Sequence, residues 1–168
     1  MVRCTISRGL EPCLHFWQQS AVESGSAAES ERATSANHPS EEFMAITLNH
    51  TIVPARDKEE SARFYSRIFG FRYVGPFSHF IVVKVNDTLS LDFDNREKFD
   101  SNHYAFKVTE QEFDEIFNRL KTENIKYGSG PFDPENMSIN HNDGGRGVYF
   151  RDPAGHLLEM LTVDYKIS

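Results

Sequence analysis

Leu48-Asn49-His50-Thr51-Ile52-Val53 reads as a strand, and Asn102-His103-Tyr104-Ala105-Phe106 is a second strand opening on the same Asn-His pair. The pattern downstream of the first strand is replayed downstream of the second. Asp57 with Glu60 three residues on is a helix-capping signature; Ala62, Tyr65, Ile68 and Phe69 then fall on one helical face, and Gly70 ends the helix. Thr109 with Glu112 caps the counterpart, which carries Phe113, Ile116, Phe117 and Leu120 at i, i+3, i+4 and i+7. Strands are expected near 71–74, 80–85 and 88–93 in the first half, with Asn86-Asp87 turning the last pair. In the second half they fall at 125–127, 147–151 and 157–163, with a long Gly/Pro/Asn loop before the middle one. Each half is therefore strand-helix-strand-strand-strand. Neither half can cover its own sheet, so the expected fold is α+β. Two βαβββ modules, about 45–96 and 101–164, should pack into one curved, cup-like mixed sheet with helices outside.

The 168 residues suit one domain with an extension, and 39% apolar with 12% aromatic residues is enough for a packed core. Between Ser20 and Glu42 the chain is mostly Ser, Ala and Glu, a composition that cannot offset the entropy of ordering. Residues 1–43 are thus expected to be a disordered or loosely docked leader, and 44–168 the functional domain. A net charge of −7 argues against a nucleic-acid partner. No run approaches the ~18 apolar residues that span a bilayer, and no apolar stretch comes after Met1-Val2-Arg3 as a secretory signal requires. Neither membrane nor export is expected, so the protein is placed in the cytoplasm. Cys4 and Cys13, the only cysteines, could pair or hold a metal, but are read as incidental thiols of a reducing compartment.

The chemistry concentrates in Ile139-Asn140-His141 and in Val148-Tyr149-Phe150-Arg151-Asp152-Pro153-Ala154-Gly155-His156-Leu157-Leu158-Glu159. Glu159 stands among Leu157, Leu158, Met160 and Leu161, where a carboxylate is costly to bury without a cationic partner. In the strand at 102–106, Tyr104, Phe106 and Val108 suit the helix-covered face, which leaves His103 on the concave side. His50 holds the matching position in the first half, although it shares a face with Leu48 and Ile52. His50, His103 and Glu159 on one concave surface would form a facial triad with up to three open positions, suited to a divalent metal ion: Fe, Mn, Ni or Zn.

With those residues in place, the stretch from Leu48 to Val163 resembles the vicinal oxygen chelate superfamily of glyoxalases, bleomycin-binding proteins, fosfomycin-resistance enzymes and extradiol dioxygenases. The Val148–Glu159 run, with its Tyr, Asp-Pro-x-Gly and Glu, is its most specific part. The resemblance implies metal ligands at His50, His103 and Glu159, and a metal that chelates a small-molecule substrate through two neighbouring oxygens. The reactions it implies are those of a lyase, isomerase, transferase or extradiol-type dioxygenase. Glyoxalase-type members add a carboxylate in the last strand of the first half; the best register puts Leu91 at that position, with Asp92 facing away. The stretch 139–159 also resembles the extradiol signature, which implies His141 as an acid/base or hydrogen-bond donor and Tyr149 as an orienting group. Against it, the chain lacks a second pair of modules and the further upstream His. Arg146 could hold an anionic substrate group or be a solvated rim charge, and Tyr149 could face the cup or the helices. Phe77, Phe80 and Phe93 could wall the cup. The alternative is a metal-free, drug-sequestering protein of the bleomycin-resistance type. Open sheet edges make a homodimer the expected assembly.

Overall fold

A computed structural model describes residues 46–166. The leader over 1–43, with Cys4 and Cys13, lies outside the described residues. The two expected modules are both present. In the first, β1 (His50–Ala55), α1 (Lys58–Phe69), β2 (Arg72–Phe77), β3 (Phe80–Lys84) and β4 (Ser90–Asn95) succeed one another. In the second, β5 (His103–Lys107), α2 (Glu110–Thr122), β6 (Tyr127–Gly128), β7 (Gly147–Arg151) and β8 (Leu157–Leu161) repeat the order. Each module is a four-stranded mixed sheet, ordered β1-β4-β3-β2 and β5-β8-β7-β6, with the first strand parallel to the last.

The local signals act as their chemistry requires. Asp57 accepts the amide hydrogens of Glu59 and Glu60 at 2.9 and 3.1 Å, and Gly70 ends α1 at φ 81°, a conformation that costs a residue with a Cβ. Thr109 and Glu112 make both bonds of a capping box. Asn86 Oδ1 accepts from the amides of Thr88 and Leu89, closing the β3–β4 turn.

Helix α1 decides where the two sheets look. Tyr65 meets Phe93 of β4 edge to face at 5.0 Å, while Phe69 packs on Phe106 of β5 at 4.8 Å and Phe150 of β7 at 5.7 Å. The same helix therefore fills the space between the covered faces of both sheets, and a single core results, with Val53, Tyr65, Phe93, Phe113, Phe150 and Leu158 all fully buried. The two open faces look away from that core. Within the chain the modules form separate sheets, and no pairing joins β1 to β5.

The Asp152-Pro153-Ala154-Gly155 turn ties the halves together. Asp152 is buried and accepts from the Tyr65 hydroxyl at 3.2 Å and the His156 amide at 2.8 Å. Burial pushes its carboxyl above the ordinary range, and His156 offsets part of that rise. The His156 ring is fully buried. Its Nε2 donates to the Pro54 carbonyl at 2.7 Å and its Nδ1 accepts from the Asn102 amide at 2.9 Å, so one ring bridges β1 and the start of β5.

The long loop before β7 is pinned from inside. Asn136 accepts from the Ser129 and Ser138 amides and donates to Asp133. A Cβ at Gly128 would stand 2.0 Å from the Asp133 carbonyl, so only glycine permits this close approach.

Candidate metal centre

Alternation along each strand sorts the side chains. In β5, His103, Ala105 and Lys107 lie on the open face; in β8, Glu159 does, between the fully buried Leu158 and Met160. His103 pairs with Leu157 and Ala105 with Glu159, so ring and carboxylate are one row apart, and His103 Nε2 reaches Glu159 Oε2 at 3.1 Å. The ring's other nitrogen, Nδ1, faces the Leu157 carbonyl at 3.1 Å, and a carbonyl only accepts. With Nδ1–H on that carbonyl, Nε2 either donates a second proton to Glu159 or turns its lone pair to a metal ion that the carboxylate shares. A metal-binding histidine is held in this way, with its distal N–H on a backbone carbonyl.

His50 is prepared in the same manner. Its Nδ1 donates to Asn49 Oδ1 at 2.9 Å, and Nε2 has no hydrogen-bond partner among the described residues. On the open face of the first sheet His50 pairs with Ser90 and Ile52 pairs with Asp92. Asp92 thus stands to His50 as Glu159 stands to His103. The expected register at β4 is corrected by the structure: Leu91 is in the core at 2% exposure, and Asp92 is on the open face. The signal is present in the sequence, since Leu89, Leu91 and Phe93 alternate and the apolar set belongs under the helix. Asp92 Oδ1 is buried with no hydrogen-bond partner among the described residues. An orphaned carboxylate oxygen one row from a histidine is the kind of donor a metal ion would satisfy.

The two halves do not meet in one chain. Among the described residues no three His, Cys, Asp or Glu side chains come close enough to hold a metal ion. His103 and Glu159 are brought together, while His50 lies on the other sheet's open face, which looks away from the same core.

Tyr149 sits on the open face of the second sheet rather than under the helices. It pairs with Glu159 across β7–β8, and its ring stacks on His103 with centroids 6.0 Å apart at 19°. Burial, then the neighbouring Glu159 carboxylate, raises its hydroxyl pKa well above the usual phenol range, so it keeps its proton. Tyr149 and Glu159 also line a recess of about 160 Å³ together with Asn140, Asn142, Asp143 and Arg146. Arg146 lines the same recess, but its guanidinium is engaged by α2. Its guanidinium bonds Glu110 and Asp114 of α2 at 2.6 Å each and lies 4.3 Å over the Phe113 ring. His141 folds back on its own loop, donating from Nδ1 to the Gly145 carbonyl at 3.2 Å. Of the three phenylalanines, Phe93 is in the core, whereas Phe77 and Phe80 pair on the open face of the first sheet.

The same arrangement of modules is found in known proteins. The family model for the Glyoxalase/Bleomycin resistance protein/Dioxygenase superfamily matches residues 47–160. The chain belongs to that superfamily. Among its members, the metallothiol transferase FosB of Lysinibacillus sphaericus (strain C3-41) is 27% identical over 130 residues, 69% of this chain and 82% of its own length. The glutathione transferase FosA of Serratia marcescens is 26% identical over 124 residues, 70% and 81% respectively. Among solved structures, oxidase ChaP-H2 is 46% identical with a TM-score of 0.70, covering 73% of this chain and 97% of its own. Among the described residues no helix is long and apolar enough to cross a membrane.

Proposed function

We propose that this chain is a metal-dependent enzyme acting on a small molecule held through neighbouring oxygens, and that its centre forms between two copies of the chain. His50 and Asp92 of one copy would face His103 and Glu159 of the other. The carrying observation is the repeat register: His50 pairs opposite the residue two before Asp92, as His103 pairs opposite the residue two before Glu159. The free edges of β1 and β5, each carrying one of the histidines, are where two open faces could join into one cup. A relative named as a transferase and another named as an oxidase support an enzyme of this superfamily over a sequestering protein, without fixing the reaction.

The donor set of two imidazoles and two carboxylates suits Fe(II), Mn(II), Ni(II) or Zn(II). A bound ion would supply Lewis-acid stabilisation of negative charge on the substrate oxygens. The chain's own residues do the rest. Asn49 and the Leu157 carbonyl fix the two rings in one tautomer, and Tyr149 presents a hydroxyl proton beside Glu159. The apolar open face, with Ile52, Phe80 and Val82, excludes water from the substrate's body. Asp92 reaches one methylene less than Glu159, which tightens the first module's side of the site.

The test is metal analysis of chelator-washed protein reloaded with Mn(II), with the oligomeric state measured beside it. About one ion per chain in a dimer is expected, and none for His103→Ala with Glu159→Ala. Normal loading of that double variant overturns the centre. A protein that binds no metal yet holds an aromatic ligand tightly would be a sequestering one.

A further inference from the structure

We propose that Arg72 and Lys84 form an anion subsite in the cup, so that the substrate carries an anionic group at the end remote from its chelating oxygens. This rests on the cup proposed above. Register places the pair: His50 pairs with Ser90, Ser90 with Lys84, and Lys84 with Arg72, so all four stand in one row on the open face of the first sheet. Tyr73 and Val83 beside them go under α1, with Tyr73 bonded to Glu59 and Val83 fully buried, which fixes the parity. At a strand spacing of about 4.8 Å, Lys84 is about 10 Å and Arg72 about 14 Å from His50 along the row.

Two cations directly opposite on neighbouring strands repel each other. Proteins ordinarily relieve such a pair with acceptors close by, and the second module does so. Its equivalent row runs His103, Leu157, Arg151 and then Lys126, next to β6. There Arg151 donates to the Gly155 carbonyl at 2.9 Å and Lys126 pairs with Glu135 at 2.7 Å. In the first module neither Arg72 nor Lys84 has a hydrogen bond or ion pair among the described residues, although Asp92 is one row away on β4. The repeat has kept a pair of cations in both rows, and only in the first module do both side chains stand without a partner among the described residues. A carboxylate, phosphate or sulfate spanning the two side chains would supply the missing countercharge, and the guanidinium fork suits such oxyanions. Val82 and Phe80, on the same face of β3, would meet an apolar body lying between the two ends. The ligand class is an elongated, oxygen-chelating molecule with an apolar middle and an anionic tail.

Titration calorimetry with caffeate and with its methyl ester, on the full-length Mn(II)-loaded and metal-free protein, tests this. Both probes offer the same pair of neighbouring oxygens and the same ring; only caffeate carries the remote negative charge. Caffeate is expected to bind at least about tenfold tighter than the ester. The ratio should fall to near one in Arg72→Gln with Lys84→Gln and survive in Arg72→Lys with Lys84→Arg. The ester's own affinity should not move. An unchanged ratio in the glutamine variant, no caffeate preference, or no binding of either probe overturns the subsite. Loss of metal dependence with the ratio intact would instead sink the metal centre and leave the subsite standing.

Discussion

Replacing Asp92 by leucine should raise the stability of the metal-free protein and lower its response to metal. The carboxylate stands on the open face with Oδ1 sealed from solvent and unbonded. An unsatisfied buried polar atom costs about 1–3 kcal/mol, and only one of the two oxygens is sealed, so about 1 kcal/mol is the fitting end of that range. For a folded region of this size that is about 4 °C in Tm. A metal ion at about one hundred times its Kd stabilises the folded state by about 2.7 kcal/mol, near 10 °C on the same scale. Calorimetric melts of wild type and Asp92→Leu, chelated and Mn(II)-loaded, give four values. The variant should melt above wild type when chelated and below it when loaded. If its chelated Tm falls, Oδ1 is not an unsatisfied group. If its metal-induced rise equals that of wild type, Asp92 is no ligand.

His156→Ala should cost about 3 kcal/mol, because it strands the Pro54 carbonyl and the Asn102 amide in the interior. A drop in the urea midpoint at unchanged slope reads this, and a loss below about 1 kcal/mol refutes the bridge. Asp152 has its folded-state pKa raised, chiefly by burial. The folded chain therefore binds more protons than the unfolded one as pH climbs from about 4 towards the raised value, and stability falls across that window. Asp152→Asn should flatten this slope in melts taken from pH 4 to 7, and an unchanged slope would assign it to another group. Arg146→Ala removes ion pairs to exposed carboxylates, so Tm should shift by only a few degrees with metal loading intact. A tenfold loss of caffeate affinity in that variant would instead place Arg146 in the cup.

The repeat makes most of the fold readable. Asp57, Gly70, Thr109 with Glu112, and Asn86 each close the element their chemistry suggests, because caps and turns are decided within a few residues. His103 and Glu159 are readable too, since each interrupts an apolar alternation whose buried partners are plain. Asp92 is misplaced by one residue in the sequence register because both faces of β4 carry candidates, and a one-residue slip exchanges them. His50 is ambiguous for a related reason. Ile52, on its face, is 47% exposed in the chain and apolar all the same, as a surface awaiting a cover would be. Where the two sheets look cannot be read from strands at all. It depends on Phe69 reaching across to Phe106 and Phe150, a long-range contact with no local signature.

In the proposed two-copy centre one core separates the two half-sites, so damage to them is separable. A chain lacking His50 and Asp92 and a chain lacking His103 and Glu159 would each be inert alone. Mixed and refolded together, they would form pairs with one centre ruined twice and the other built wholly from undamaged halves. Two dead alleles would thus complement each other, to at most half the activity of a wild-type pair, through the geometry of α1 alone.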